Sequence, residues 1–135
     1  MPRITGPFRI TMTPQPPDEG APPSAQGIGR IALDKRYEGD LNATGYGQML
    51  AVRSATPGSA GYVAMELVAG TLGGRTGTFA LQHSGTMDRG TPTLRVSVVP
   101  DSGTDGLEGL AGELNILNEG GAHSYVFDYT LPDLA

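Results

Sequence analysis

Apolar side chains recur at every second position along much of the chain, and turn-forming residues divide this alternation into eight stretches. The first, Gly6 to Thr13, sets Phe8, Ile10 and Met12 against Arg9, Thr11 and Thr13. The second, Gly27 to Glu38, sets Ile31, Leu33, Lys35 and Tyr37 against Arg30, Ala32, Asp34 and Arg36. Gly39-Asp40 turns the chain into the third, Leu41 to Ser54, and Thr56-Pro57-Gly58-Ser59 leads to the fourth, Gly61 to Leu72. Gly73-Gly74 closes a tight hairpin into the fifth, Arg75 to Gly85. The sixth, Thr91 to Pro100, follows Asp88-Arg89-Gly90, while Glu119-Gly120-Gly121 separates the seventh, Gly112 to Asn118, from the eighth, His123 to Leu131. Period-2 alternation of this kind predicts strands.

Two segments fall outside the pattern. Pro14 to Gln26 holds five prolines and no large apolar residue, so it is expected to be a loop, because each proline removes a donor and fixes φ. Between the sixth and seventh strands, Asp105 could cap one helical turn, with Glu108 completing a capping box. Eight successive strands with short links predict a single all-β domain over residues 1–135, an antiparallel meander that closes into an eight-stranded barrel and so removes its edges. A two-sheet sandwich would alternate in the same way and is the competing fold. The face expected to line the core carries Phe8, Ile10, Met12, Ile31, Leu33, Phe79, Leu81, Leu94, Val96, Val98, Leu114, Ile116, Tyr125, Phe127 and Tyr129.

Composition changes this picture in one respect. The 21 glycines and 11 prolines approach the level of a disordered chain, but a net charge of only −5 and enough Leu, Val, Ile and Phe for a core argue for one ordered domain. With no cysteine there is no disulfide, thiol nucleophile or thiolate metal site, and the N-terminus has no apolar secretory segment. No apolar run is long enough to span a bilayer as a helix. The acidic balance, with scattered arginines and one lysine, lacks the clustered cations of a nucleic-acid footprint. A cytoplasmic protein without nucleic-acid or membrane partners is expected.

Five blocks carry a family resemblance: Tyr37-Glu38-Gly39-Asp40-Leu41; Tyr62 to Glu66; Gly70 to Gly85; Val99 to Leu107; and His123 to Tyr129. In this order, from about Gly6 to Leu131, they resemble the signature blocks of a bacterial domain-of-unknown-function family grouped by fold with the allene oxide cyclase barrels. The resemblance implies an eight-stranded calycin-like barrel that often self-associates as a homo-oligomer. It implies no activity, and no catalytic pattern of the plant cyclases can be placed on these residues.

If strands alternate in direction, His83 and His123 fall at the same mouth of the barrel, and parity points both inward. A pocket there, with His83, His123, Tyr125 and Tyr62 as polar groups and Phe79 among the apolar ones, would suit a small hydrophobic ligand. Imidazole could act as acid or base in it. The plainer reading is that each histidine bonds rim backbone, since small barrels often fill with side chains. Glu66 is ambiguous. With Tyr62, Ala64 and Val68 inward it would be a buried carboxylate of raised pKa able to act as a base; with Val63, Met65 and Leu67 inward it would lie outside, pairing with Arg75 or across an interface.

Other motifs are weak. Two histidines on different strands make no metal motif, Asp101 to Gly106 lacks the acid that closes a calcium loop, and Gly70, Gly73, Gly74 and Gly77 lack the lysine of a phosphate loop. No cofactor is expected. Three functions fit: a barrel binding a small hydrophobic molecule; an isomerase or cyclase using His83, His123 or Glu66 as acid or base; or a packed structural barrel that self-associates.

Overall fold

The structure is a computed structural model that describes residues 2–16, 20, 22 and 27–133. Eight strands run in chain order: β1 (Arg3–Pro14), β2 (Ile28–Tyr37), β3 (Leu41–Arg53), β4 (Ala60–Leu72), β5 (Arg75–Asp88), β6 (Thr91–Val98), β7 (Ala111–Glu119) and β8 (Ala122–Thr130). Each pairs antiparallel with the next, and β8 returns to β1, so the sheet is a closed barrel rather than a sandwich. The first half of β1 pairs with β8, from Arg3↔Asp128 to Phe8↔His123. Its second half pairs with β2, from Phe8↔Tyr37 to Pro14↔Ile31. Sharing one strand between two neighbours in this way is the stagger that closure demands.

Pro14 thus ends β1 rather than opening the loop: β8 pairs with β1 only as far as Phe8, so the nitrogen of Pro14, directed away from β2, lies on an unpaired edge. The rest of the Pro14 to Gln26 segment falls largely outside the described residues. Both central residues of the β4–β5 turn, Gly73 and Gly74, have positive φ (56° and 84°), the conformation a two-residue hairpin needs. Among the described residues, no helix is long and apolar enough to cross a membrane.

The barrel's two ends differ. The lower end, which receives the β2–β3 and β4–β5 turns, is sealed by the segment after β6, whose Leu107 and Leu110 join the core cluster with Leu72, Phe79, Leu81 and Phe127. That segment holds one 3-10 turn, Asp105–Leu107. Its capping differs from the expectation: Asp105 is the first residue of the turn, with φ of 53°, and the N-cap is Thr104, whose side chain does not cap. The Thr104 hydroxyl instead accepts from Thr78 N–H at 3.1 Å and lies 2.7 Å from the Thr78 hydroxyl, tying this segment to β5.

At the upper end, inward-pointing residues stay open. Met12 faces inward opposite Leu33 yet is 51% exposed, and Leu94 faces inward opposite Gly85 yet is 37% exposed. Ile10, Ile31, Met49 and Ile116, all on the same inner face, are half-buried. β6 and β7 pair only at Val96↔Leu114 and Ser97↔Glu113, so above Val96 the two strands share no ladder.

Candidate functional site

A charged cluster lies inside the barrel. Lys35 comes from β2, Glu66 from β4 and His83 from β5, and none of their side chains is more than 4% exposed. Lys35 and Glu66 sit on strands separated by β3, roughly 10 Å apart at the backbone. They meet because the intervening inner positions are glycines. Gly45 pairs with Lys35 and Gly47 with Glu66. A Cβ on Gly45 would collide with Glu66 Oε2, and one on Gly47 would press within 3.2 Å of the Glu66 Cα and Cβ.

Glu66 is the hub. Lys35 Nζ donates to Oε1 at 3.0 Å and His83 Nε2 lies 2.8 Å from the same oxygen, while Tyr37 Oη donates to Oε2 at 2.5 Å. Burial pushes the carboxyl up, but the bond from His83, the Lys35 charge and the bond from Tyr37 outweigh it and hold it below its ordinary value. This corrects the expectation for an inward Glu66: three donors leave it an ionised acceptor, not a base of raised pKa. Burial first, then the Glu66 charge, pushes Tyr37 well above the usual phenol value and keeps it a donor. Lys35 Nζ also sits 5.4 Å from the Phe8 ring centroid and 5.8 Å from that of Tyr37, so its remaining face meets π-clouds rather than water.

The carboxylate sets the state of His83. Bonding to an ionised oxygen requires the proton on Nε2, which leaves Nδ1 as the free position of the ring. Nδ1 bonds no protein atom among the described residues. His83 pairs with Ala64 and Val96, one inward step below Tyr62, Gly85 and Leu94 of the open end.

The other expected site residues divide between the two ends. His123 is half-buried at the upper end and packs on Phe8, ring centroids 5.3 Å apart; Phe8 in turn underlies Lys35. Tyr62 lies at the mouth, where a Cβ on Gly85 would strike its ring, and burial raises its pKa. Tyr125 belongs to the lower half: its hydroxyl donates to Glu38 O at 2.7 Å and accepts from Leu41 N–H at 3.2 Å, pinning the β2–β3 turn. Phe79 is also low, stacked on Phe127 with centroids 6.1 Å apart. Arg75 donates to Pro132 O, not to Glu66. Among the described residues no three His, Asp or Glu side chains gather as a metal site.

The family model described as "Protein of unknown function (DUF3224)" matches residues 4–129. The chain belongs to the DUF3224 family. A crystal structure of a DUF3224 protein with unknown function from Shewanella oneidensis MR-1 is similar to it at 41% identity and a TM-score of 0.88, over 98% of this chain and 99% of that one. No curated protein matches.

Two residues of this DUF3224 site escaped the sequence reading, Lys35 and Tyr37. The signal was present: the chain's one lysine stands on the apolar face of its strand between Leu33 and Tyr37, and two glycines on the next strand leave room for it.

Proposed function

We propose that this protein binds a small, mostly apolar molecule in the open upper end of the barrel, with His83 Nδ1 as the acceptor for the ligand's one hydrogen-bond donor. The observation that carries the reading is the asymmetry of the inner face. Leu41, Leu72 and Phe127 are sealed at the lower end, while Met12 and Leu94, equally inward, are not. An apolar wall with one polar group on its floor is the usual composition of a small-molecule site. The unpaired stretch of β6 and β7 above Val96 would serve as a side entrance. Kinship with the allene oxide cyclase barrels is part of the same proposal and lends no residue role.

A second reading is favoured by the 2.8 Å contact between Glu66 and His83. A carboxylate that fixes an imidazole's tautomer and orientation is how a general base is held, so His83 could take a proton from the bound molecule. Native mass spectrometry of freshly purified protein tests binding, and a neutral fluorescent arylamine, N-phenyl-1-naphthylamine, serves as probe. The expected result is saturable fluorescence that Leu94→Arg abolishes and His83→Phe weakens. Probe binding unaffected by either change refutes an interior site.

A further inference from the structure

The outer surface of the same wall is unlike the rest of the barrel. From Asn42 to Val52, Gly61 to Thr71 and Thr76 to Thr86, every outward position of β3, β4 and β5 is uncharged. Elsewhere the outward positions carry Arg3 and Arg9 on β1, Arg30, Asp34 and Arg36 on β2, Arg95 on β6, and Glu113 on β7. At the centre of the uncharged face Val63 is 53%, Met65 52% and Leu67 68% exposed, and Tyr46, Leu50 and Val52 stand beside them on β3. With about 200 Å² for a large side chain, these six expose roughly 600 Å² of apolar surface, the upper end of what a monomer shows. The uncharged neighbours Thr44, Gln48, Ala69, Ala80 and Gln82 extend the face toward the roughly 800 Å² per partner of a stable complex.

The face also carries its own complement. Leu67 is its most protruding side chain, and six residues earlier on the same strand Gly61, which has no side chain, floors a groove of about 460 Å³ walled by Leu50, Val52, Val63 and Thr86. A two-fold axis through the face near Ala64, midway between the two, brings each Leu67 over the Gly61 groove of a second copy. An interface of this kind is isologous and closes at two subunits. A second copy is also the partner that the charge pattern favours. Over the rest of the surface a net charge of −5 repels an identical chain, whereas two uncharged faces meet without like-charge contacts.

We infer that the outer face of β3, β4 and β5 is the interface of a two-fold homodimer, with Leu67 of each subunit seated in the Gly61 groove of the other.

Sedimentation velocity on the full chain tests this. Wild type is expected at twice the 14.0 kDa chain mass at micromolar concentration. Leu67→Asp, which buries a charge, and Gly61→Leu, which fills the groove, should each sediment as monomers, whereas Leu117→Asp on the outer face of β7 should remain dimeric. Because the chain has no cysteine, Met65→Cys supplies a single thiol beside the proposed axis, roughly 12 Å from its copy across the two packed sheets, and a bis-maleimide of that reach should join the pair into a covalent dimer while Leu117→Cys is not joined. A wild type that stays monomeric when concentrated overturns the proposal. So does a dimer that survives both Leu67→Asp and Gly61→Leu, or a Met65→Cys protein that fails to cross-link. These outcomes are independent of the interior site, since N-phenyl-1-naphthylamine binding that is lost in Leu67→Asp but kept in Leu94→Arg places the probe on the outer face instead.

Discussion

Strand β4 presents two faces that reverse the usual rule for a barrel. Inward it carries Glu66, sealed from solvent, and outward it carries Val63, Met65 and Leu67, each more than half exposed. On β8 the order is the usual one, with Tyr125 and Phe127 inward and Asp128 outward, bound to Arg3 across the seam. The difference teaches that an inverted strand needs a separate explanation for each face. Inside, Lys35, His83 and Tyr37 satisfy the carboxylate, and two glycines on β3 admit them. Outside, nothing among the described residues covers the apolar row, and a second copy is the cover we infer.

Breaking the inner face should have the largest effect. Glu66→Leu leaves the buried Lys35 charge and two polar partners unmatched, and is expected to cost about 3–5 kcal/mol, read as a lower urea midpoint. Replacing Lys35 by Met in the same chain should recover much of that loss, because removing both charges of a buried pair is far cheaper than removing one. Gly45→Ala comes next, at about 1–3 kcal/mol, since its Cβ must displace the Glu66 carboxylate.

The acid limb of stability separates the charge of Glu66 from its shape. Its carboxyl is held below the ordinary value of 4.5, so as pH falls the unfolded chain takes up the proton first. The stability it contributes is therefore whole above that value and is lost as pH drops through the lower, folded one. Urea midpoints measured down the acid range should show this slope in wild type and a shallower one in Glu66→Leu. Asp128, lowered by its bond to Arg3, leaves a part of the slope in both proteins.

Outside the barrel the effects on folding should be small. At concentrations where both proteins are monomeric, Leu67→Asp should fold within about 0.5 kcal/mol of wild type, the range of an exposed substitution, although it is expected to abolish the proposed association. The smallest shift is expected at the seam. Arg3→Ala removes an exposed, salt-screened pair, and its melting temperature should approach that of wild type as salt is raised.

Much of the barrel was legible because its signals are local. Alternation on β1, β2, β5 and β8 gives the inner face, and the Gly73-Gly74 pair gives the hairpin. β4 was not legible in this way, because summed hydrophobicity favours the face with Val63, Met65 and Leu67, which turns outward. That preference fails when the apolar side of a strand has a use other than the core. The site was harder still. Glu66 meets Lys35 only across a third strand, so the contact depends on register and on the absence of side chains at Gly45 and Gly47. Tyr125 aligns with His123 by parity, but two strand steps along β8 carry its hydroxyl to the opposite end, where it holds the Glu38 and Leu41 backbone.

The protonation of Glu66 is the point on which the inner face, the tautomer of His83 and the proposed acceptor all depend. The most direct measurement follows the side-chain carboxyl carbon of Glu66 by NMR as the pH is lowered to the acid limit of the fold. The arrangement predicts a midpoint below 4.5, rising in His83→Phe as one donor is lost. A midpoint above 4.5 in the wild type would contradict it, because the carboxyl would then be governed by its burial rather than by its three partners.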